Sequence, residues 1–272
     1  MVTAFTLPRV LARTPSPAVR VGAVTTRNLI AVRHSGYWLV VVSGLFEPVL
    51  YLFSIGIGVG GLLPAFTLPD GQVISYAVFV APAILAAAAL NGAMAVSSFN
   101  FYARLAWARL YDAMIATPLR PFEIALGELG WALIRGAAYA AAFLALMVGL
   151  GLTTAGWALL AFFAALLIGF AFGAAGMAVA TFIRTWQDFD YINLVQFALF
   201  LFSGTFVPVA SYDLVPRLLI QATPLYQGVE LVRSLTLGQP TIHTLGNVAY
   251  LASLSLLGLW VAGRRMTAKL CK

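Results

Sequence analysis

Six windows of about 20 mostly apolar residues dominate this chain, and a run of that length is what an α-helix needs to cross the hydrocarbon core of a bilayer. They cover roughly 37–59, 74–98, 131–152, 157–181, 191–207 and 245–262, the fifth being the shortest. Only 9% of the 272 residues are charged and 62% are hydrophobic. A water-exposed surface normally needs about 25% charged residues, so a soluble domain is excluded and an all-α membrane protein is expected.

The 16 basic residues fix the expected orientation, because lysine and arginine concentrate in cytoplasmic segments. With the N-terminus inside, 13 of them fall on the cytoplasmic side, Arg217 and Arg233 fall outside, and Arg135 lies within a span. Both termini are predicted to be cytoplasmic. The net charge of +7 is spread between apolar runs and forms no dense patch, which speaks against nucleic acid as a partner. Five of the six tryptophans, Trp38, Trp131, Trp157, Trp186 and Trp260, fall near span ends, where an indole prefers the headgroup level. Trp107 lies just after the second span.

The single cysteine, Cys271, permits no intramolecular disulfide, and two histidines without a cysteine cluster make a zinc or iron site an unfavourable reading. No cleaved signal peptide is expected, since arginines and prolines fill the first 20 residues. There is no GxxxxGK[ST], no HExxH and no GxSxG, and both lysines, Lys269 and Lys272, sit in the last four residues. If ATP drives this protein, another chain binds it. No cofactor is expected in this one.

Four segments carry further information. Ahead of the first span, Arg20, Arg27 and His34 recur every seven residues beside Val21, Val24 and Ala31, which fits a helix lying on the inner membrane surface or a solvated basic tail. Glu47 stands mid-span, about ten residues from the helix start, where an ionisable group marks a functional site or a structural ion pair; Arg135 is within reach as its partner if the third span begins near Leu126, and snorkels to the inner interface if it begins at Trp131. Tyr51 and Phe53 lie close by as further lining candidates. Between the fifth and sixth spans, about 208–243, Pro208, Pro216 and Pro224 forbid one continuous helix, and two short helices dipping into the outer leaflet are predicted. A tight GLTTAG connection predicts a helical hairpin, and Gly169, Gly173 and Gly176 in the fourth span allow close helix approach.

The fourth segment is RLAWARLYDAMIATPLRPFEIALGEL, which holds three of the nine acidic residues, Asp112, Glu123 and Glu128. From 104 to 116 the apolar positions Trp107, Leu110, Tyr111, Met114 and Ile115 follow a helical stripe, with Arg109 and Asp112 off it. At about 20 Å this helix is too short to span, and Pro118 and Pro121 stop it. Periodicity fits a helix resting on lipid and one docked on a partner equally well.

RLYDAMIATPL closely resembles the cytoplasmic motif of ABC-2 type permeases, in the branch of the nodulation lipo-oligosaccharide and daunorubicin-type drug exporter permeases. GLFEPVLYLFSIGIGVGG, FVAPAILAAAALNGAM and LFSGTFVPVASYDLVPRLLIQATPLYQGVELVRSLTLG fit the same family in the same order, so the resemblance covers nearly the whole chain. The N-terminal tail is longer and richer in proline than the family pattern. The resemblance implies an N-terminal tail and elbow helix over 1–36, a six-span domain over 37–262 and a tail over 263–272, in a bacterial cytoplasmic membrane. It implies a coupling helix at 104–116, with Arg104, Trp107, Arg109, Tyr111, Asp112, Met114 and Ile115 on the ATPase side, and re-entrant outer helices at 208–243. It further implies two copies of a separate ATPase subunit that binds ATP and Mg, a second permease copy or paralogue, surrounding lipids, and export of an amphipath such as a lipid-linked saccharide, a lipid or a hydrophobic drug. Glu47, Tyr51, Phe53 and Arg135 are the candidates for the translocation path. An ion-coupled secondary transporter is the competing class; it normally needs several intramembrane carboxylates, and only Glu47 qualifies on sequence.

Overall fold

A computed structural model describes residues 15–34, 38–63, 66–67 and 73–270. The start of the N-terminal tail, with Arg9 and Arg13, and the last two residues lie outside the described residues. Ten α-helices are described: α1 Pro17–His34, α2 Trp38–Tyr51, α3 Tyr76–Met94, α4 Leu110–Ile115, α5 Pro121–Gly149, α6 Ala155–Ala180, α7 Asp188–Leu201, α8 Leu214–Gln221, α9 Pro224–Thr236 and α10 Ile242–Leu270. A two-residue antiparallel ladder pairs β1 (Phe66–Thr67) with β2 (Val73–Ile74).

Local chemistry sets several boundaries. Ser75 caps α3 by accepting from the Val78 N–H at 3.4 Å. Pro121 opens α5 while the Glu123 carboxylate accepts from the Arg120 N–H at 2.9 Å. Thr223 and Pro224 do the same for α9. The α5–α6 hairpin turns at Gly151, whose φ of +70° is open to glycine at little cost.

Four helical stretches are long and apolar enough to cross a bilayer: Tyr76–Trp107, Pro121–Gly149, Ala155–Ala180 and Ile242–Leu270. The third therefore begins ten residues before the expected 131, because Glu123 and Glu128 are neutralised by other helices and do not end it. The first predicted window is α2 continued without a break by a π-helical stretch, Leu52–Val59, and a last tight turn, Gly60–Leu62. The fifth is the 14-residue α7.

Helix α6 occupies the centre and packs on α3, α5, α9 and α10. Small residues allow this. A Cβ on Gly173 would fall 2.5 Å from Leu129 Cδ1, one on Gly176 2.7 Å from Ser97 Oγ, and one on Gly258 of α10 2.7 Å from the Ala174 carbonyl carbon. Gly169, by contrast, has ordinary room. The predicted pair of short helices after α7 is α8 and α9. Leu214, Val215, Leu218 and Leu219 of α8 point outward, whereas Leu225, Val229, Leu231 and Val232 of α9 are buried in the bundle.

Arg233 pins α9 in place. Its Nη2 donates to the carbonyl oxygens of Gly204 at 2.9 Å and Phe79 at 3.5 Å, its guanidinium lies 4.1 Å from the centre of the Phe79 ring, and Nη1 meets Glu230 at 2.5 Å. The arginine side chain is 8% exposed and the glutamate 36%, so the carbonyls and the ring carry more of the energy than the ion pair. Arg233→Ala is expected to lower unfolding stability in detergent by about 3 kcal/mol. Glu230→Gln is expected to lower it by under about 1 kcal/mol. Equal losses would reverse this ranking.

Candidate functional site

The 104–116 stripe does not form one helix. Arg104 and Trp107 belong to a π-helical continuation of the α3 span, Ala103–Trp107, and the chain turns at Arg109, whose φ is +44°. Only Leu110–Ile115 remains as α4. The break has a physical reason. Trp107 is 73% exposed and meets Trp186 edge-on with ring centres 5.3 Å apart, whereas Tyr111 is wholly buried with its ring 5.2 Å from that of Phe101. A straight helix would place both on one face. Left-handed backbone costs about 1–2 kcal/mol at a non-glycine residue, which the burial of Tyr111 outweighs.

Around α4 stands a polar cluster built on Glu128, whose side chain is 3% exposed. Arg104 Nη1 binds one carboxylate oxygen, which also accepts from Asn28 Nδ2 at 3.0 Å. Arg27 Nη2 meets the other oxygen at 3.2 Å and donates to Asn28 Oδ1 at 2.6 Å. Arg104 also donates to Asn28 Oδ1, at 3.0 Å. One turn toward the start of α5, Arg20 Nε donates to both oxygens of Glu123, at 3.0 and 2.9 Å.

The α1 helix thus lies against α5, and glycine makes the contact possible. A Cβ on Gly127 would sit 2.5 Å from Val24 Cβ, and Thr25 Oγ1 donates to the Gly127 carbonyl at 2.9 Å. Burial, and then the Glu128 carboxylate, hold the Tyr111 phenol well above its ordinary pKa. It stays neutral, with its hydroxyl beside that carboxylate but outside hydrogen-bonding geometry.

These positions redistribute the predicted partner-facing residues. Arg104 and Tyr111 are turned inward, so neither offers a free surface. Met114 and Ile115 are half-buried against the same core, with Met114 Sδ 3.8 Å from Arg27 Nη1. Trp107, Arg109 and Asp112 remain exposed.

A second site is a half-open cavity of about 750 Å³ between α2, α3, α5 and α7. Glu47 and Tyr51 of α2 face Arg135 and Tyr139 of α5, and Asp190 and Gln196 of α7 complete the wall. A Glu47–Arg135 ion pair does not form. Among the described residues Glu47, Arg135 and Asp190 have no ion-pair partner, and the Arg135 guanidinium instead lies 5.4 Å from the centre of the Tyr139 ring. Three buried donors at this cavity lack an acceptor: Arg135 Nε, Tyr139 Oη and Trp186 Nε1. Tyr51 meets Phe200 at 6.0 Å across the space. Phe53 lies beyond it, exposed on the π-helical extension of α2.

The ABC-2 type transporter family matches residues 20–237, from α1 to just past α9. The chain belongs to the ABC-2 type transporter family. Nodulation protein J of Rhizobium leguminosarum bv. trifolii is 28% identical over 234 residues, covering 84% of this chain and 86% of that protein. Nodulation protein J of Neorhizobium galegae is 26% identical over 267 residues, covering 93% and 96%. The chain is thus a transmembrane transport protein.

Sequence reading of this ABC-2 chain missed Glu123, Glu128 and Asn28 as a structural hub, and Asp190 and Trp186 as cavity residues. The hub had a faint signal, since basic residues spaced along α1 are matched in order by acidic residues at the start of α5. The cavity residues had none, because α7 meets α2 only through the fold. Glu128→Gln is expected to lower stability by about 2–4 kcal/mol and to speed amide exchange across residues 20–28, read by hydrogen-exchange mass spectrometry. Asp112→Asn, at an exposed site, should leave both unchanged.

Proposed function

We propose that this chain is the permease subunit of an ATP-driven exporter that carries an amphipath, such as a lipid-linked saccharide, a lipid or a hydrophobic drug, out across the bacterial cytoplasmic membrane. The observation that supports it most is the cavity. Unpaired Glu47, Arg135 and Asp190 and three unsatisfied donors lie beside aromatic faces, a lining suited to a polar head joined to an apolar body.

In this reading α2 and α7 are the two further spans, making six, and both termini lie in the cytoplasm. Helices α8 and α9 cap the outer side. A second permease copy or paralogue closes the open flank of the cavity. Two copies of a separate ATPase subunit bind ATP and Mg, since no P-loop occurs in this chain. Trp107, Arg109 and Asp112 are the exposed residues by which that subunit grips the α4 region. The Glu128 cluster ties α4 to α1, α3 and α5, so a displacement of α4 moves them together and opens the cavity alternately to the two sides.

Two experiments test this. Arg109→Ala combined with Asp112→Ala should leave the protein folded in the membrane while cutting co-purification with its ATPase subunit and transport-linked ATP hydrolysis by about tenfold. Unchanged values for both would sink the assignment of the α4 region. A cysteine placed at Ser211, between α7 and α8, should react with a membrane-impermeant maleimide added to intact cells. Reaction only after the cytoplasmic face is exposed would invert the topology.

A further inference from the structure

Away from the cavity, a shallow groove of about 350 Å³ runs between the start of α5 and the last turns of α10. Phe122 forms one wall, Leu259, Trp260, Arg264 and Thr267 the other, and Gly263 the floor. A Cβ on Gly263 would fall 2.9 Å from the Phe122 ring, so the groove is as deep as the two helices allow.

Its chemistry is graded along α10. Leu256, Trp260 and Arg264 recur every four residues on one exposed stripe, passing from aliphatic to indole to cation. That order matches the passage from hydrocarbon through the interface to the headgroups. The Arg264 guanidinium lies 4.5 Å from the centre of the Trp260 ring.

Among the described residues no acidic group neutralises the charge here. No acidic residue occurs anywhere in α10. The two acidic residues near the start of α5 are committed elsewhere, Glu123 to Arg20 and Glu128 to Arg27 and Arg104. The adjacent Arg265 turns inward, 3.9 Å from the centre of the Phe182 ring, with Nη2 donating to the Thr181 carbonyl at 3.4 Å. Among the described residues Arg264 has no ion-pair partner.

We propose that this groove holds one anionic phospholipid, its phosphate on Arg264, its glycerol region against Trp260, and an acyl chain along Leu256 and Phe122. Charge complementarity selects the anionic class: a cation without a counter-ion, stacked on an interfacial indole, attracts a negative headgroup over a zwitterionic one.

The test uses the full chain reconstituted in vesicles of phosphatidylcholine with 20 to 30 mole per cent, roughly, of dibrominated phosphatidylglycerol or dibrominated phosphatidylcholine. Quenching of Trp260 is taken as the difference from Trp260→Phe. The expected result is a preference for the anionic lipid that falls about fivefold in Arg264→Gln, persists in Arg264→Lys and persists in Lys269→Gln. An equal fall in Lys269→Gln would mean diffuse surface charge and overturn the proposal. So would equal quenching by both lipids, or no Trp260 quenching by either, as when a second copy of the chain covers the groove.

Discussion

A carboxylate taken out of water must meet cations or dipoles, and Glu128 meets all of its partners at once. Its two oxygens are divided among Arg27, Asn28 and Arg104, which come from α1 and the extended α3 span. Much of the geometry at this end follows. Helix α1 is held against α5, with Val24 over Gly127 while Arg27 and Asn28 reach Glu128. The α3 span must run on to Arg104, and that places the turn at Arg109 where α4 can bury Tyr111.

The same rule holds at the far end and is broken in between. Arg233 is wrapped by two carbonyls, a ring and a carboxylate, which lets α9 sit inside the bundle among apolar side chains. At the cavity the rule lapses, since Glu47, Arg135 and Asp190 share one space without pairing. These charges are paired at the two ends and left unpaired at the cavity between them.

What was readable in the sequence was whatever depends on neighbours along the chain. Proline marked the break before α9, the GLTTAG connection marked the hairpin, and apolar length marked α3, α5, α6 and α10. Periodicity misled at 104–116, where Trp107 and Tyr111 share a stripe on paper. They separate in the fold because Trp186 and Phe101 lie on opposite sides. Two of the Glu128 partners, Arg27 and Asn28, stand about a hundred residues away on α1, and no local pattern reports a contact that long. Glu47 and Arg135 line the same cavity without pairing, because depth in a helix says nothing of which way the guanidinium turns. Here it turns to Tyr139.

Tyr139 also touches Gly44. A Cβ at that glycine would lie 2.8 Å from the tyrosine hydroxyl oxygen and from the ring carbon that bears it, so α2 approaches α5 as nearly as a hydrogen atom permits. The bore of the chamber is therefore governed by one of the smallest side chains on its wall. Adding a single methyl there would wedge the tyrosine and the arginine it carries toward the open space. Gly44 thus sets the width of the chamber without carrying any charge of its own.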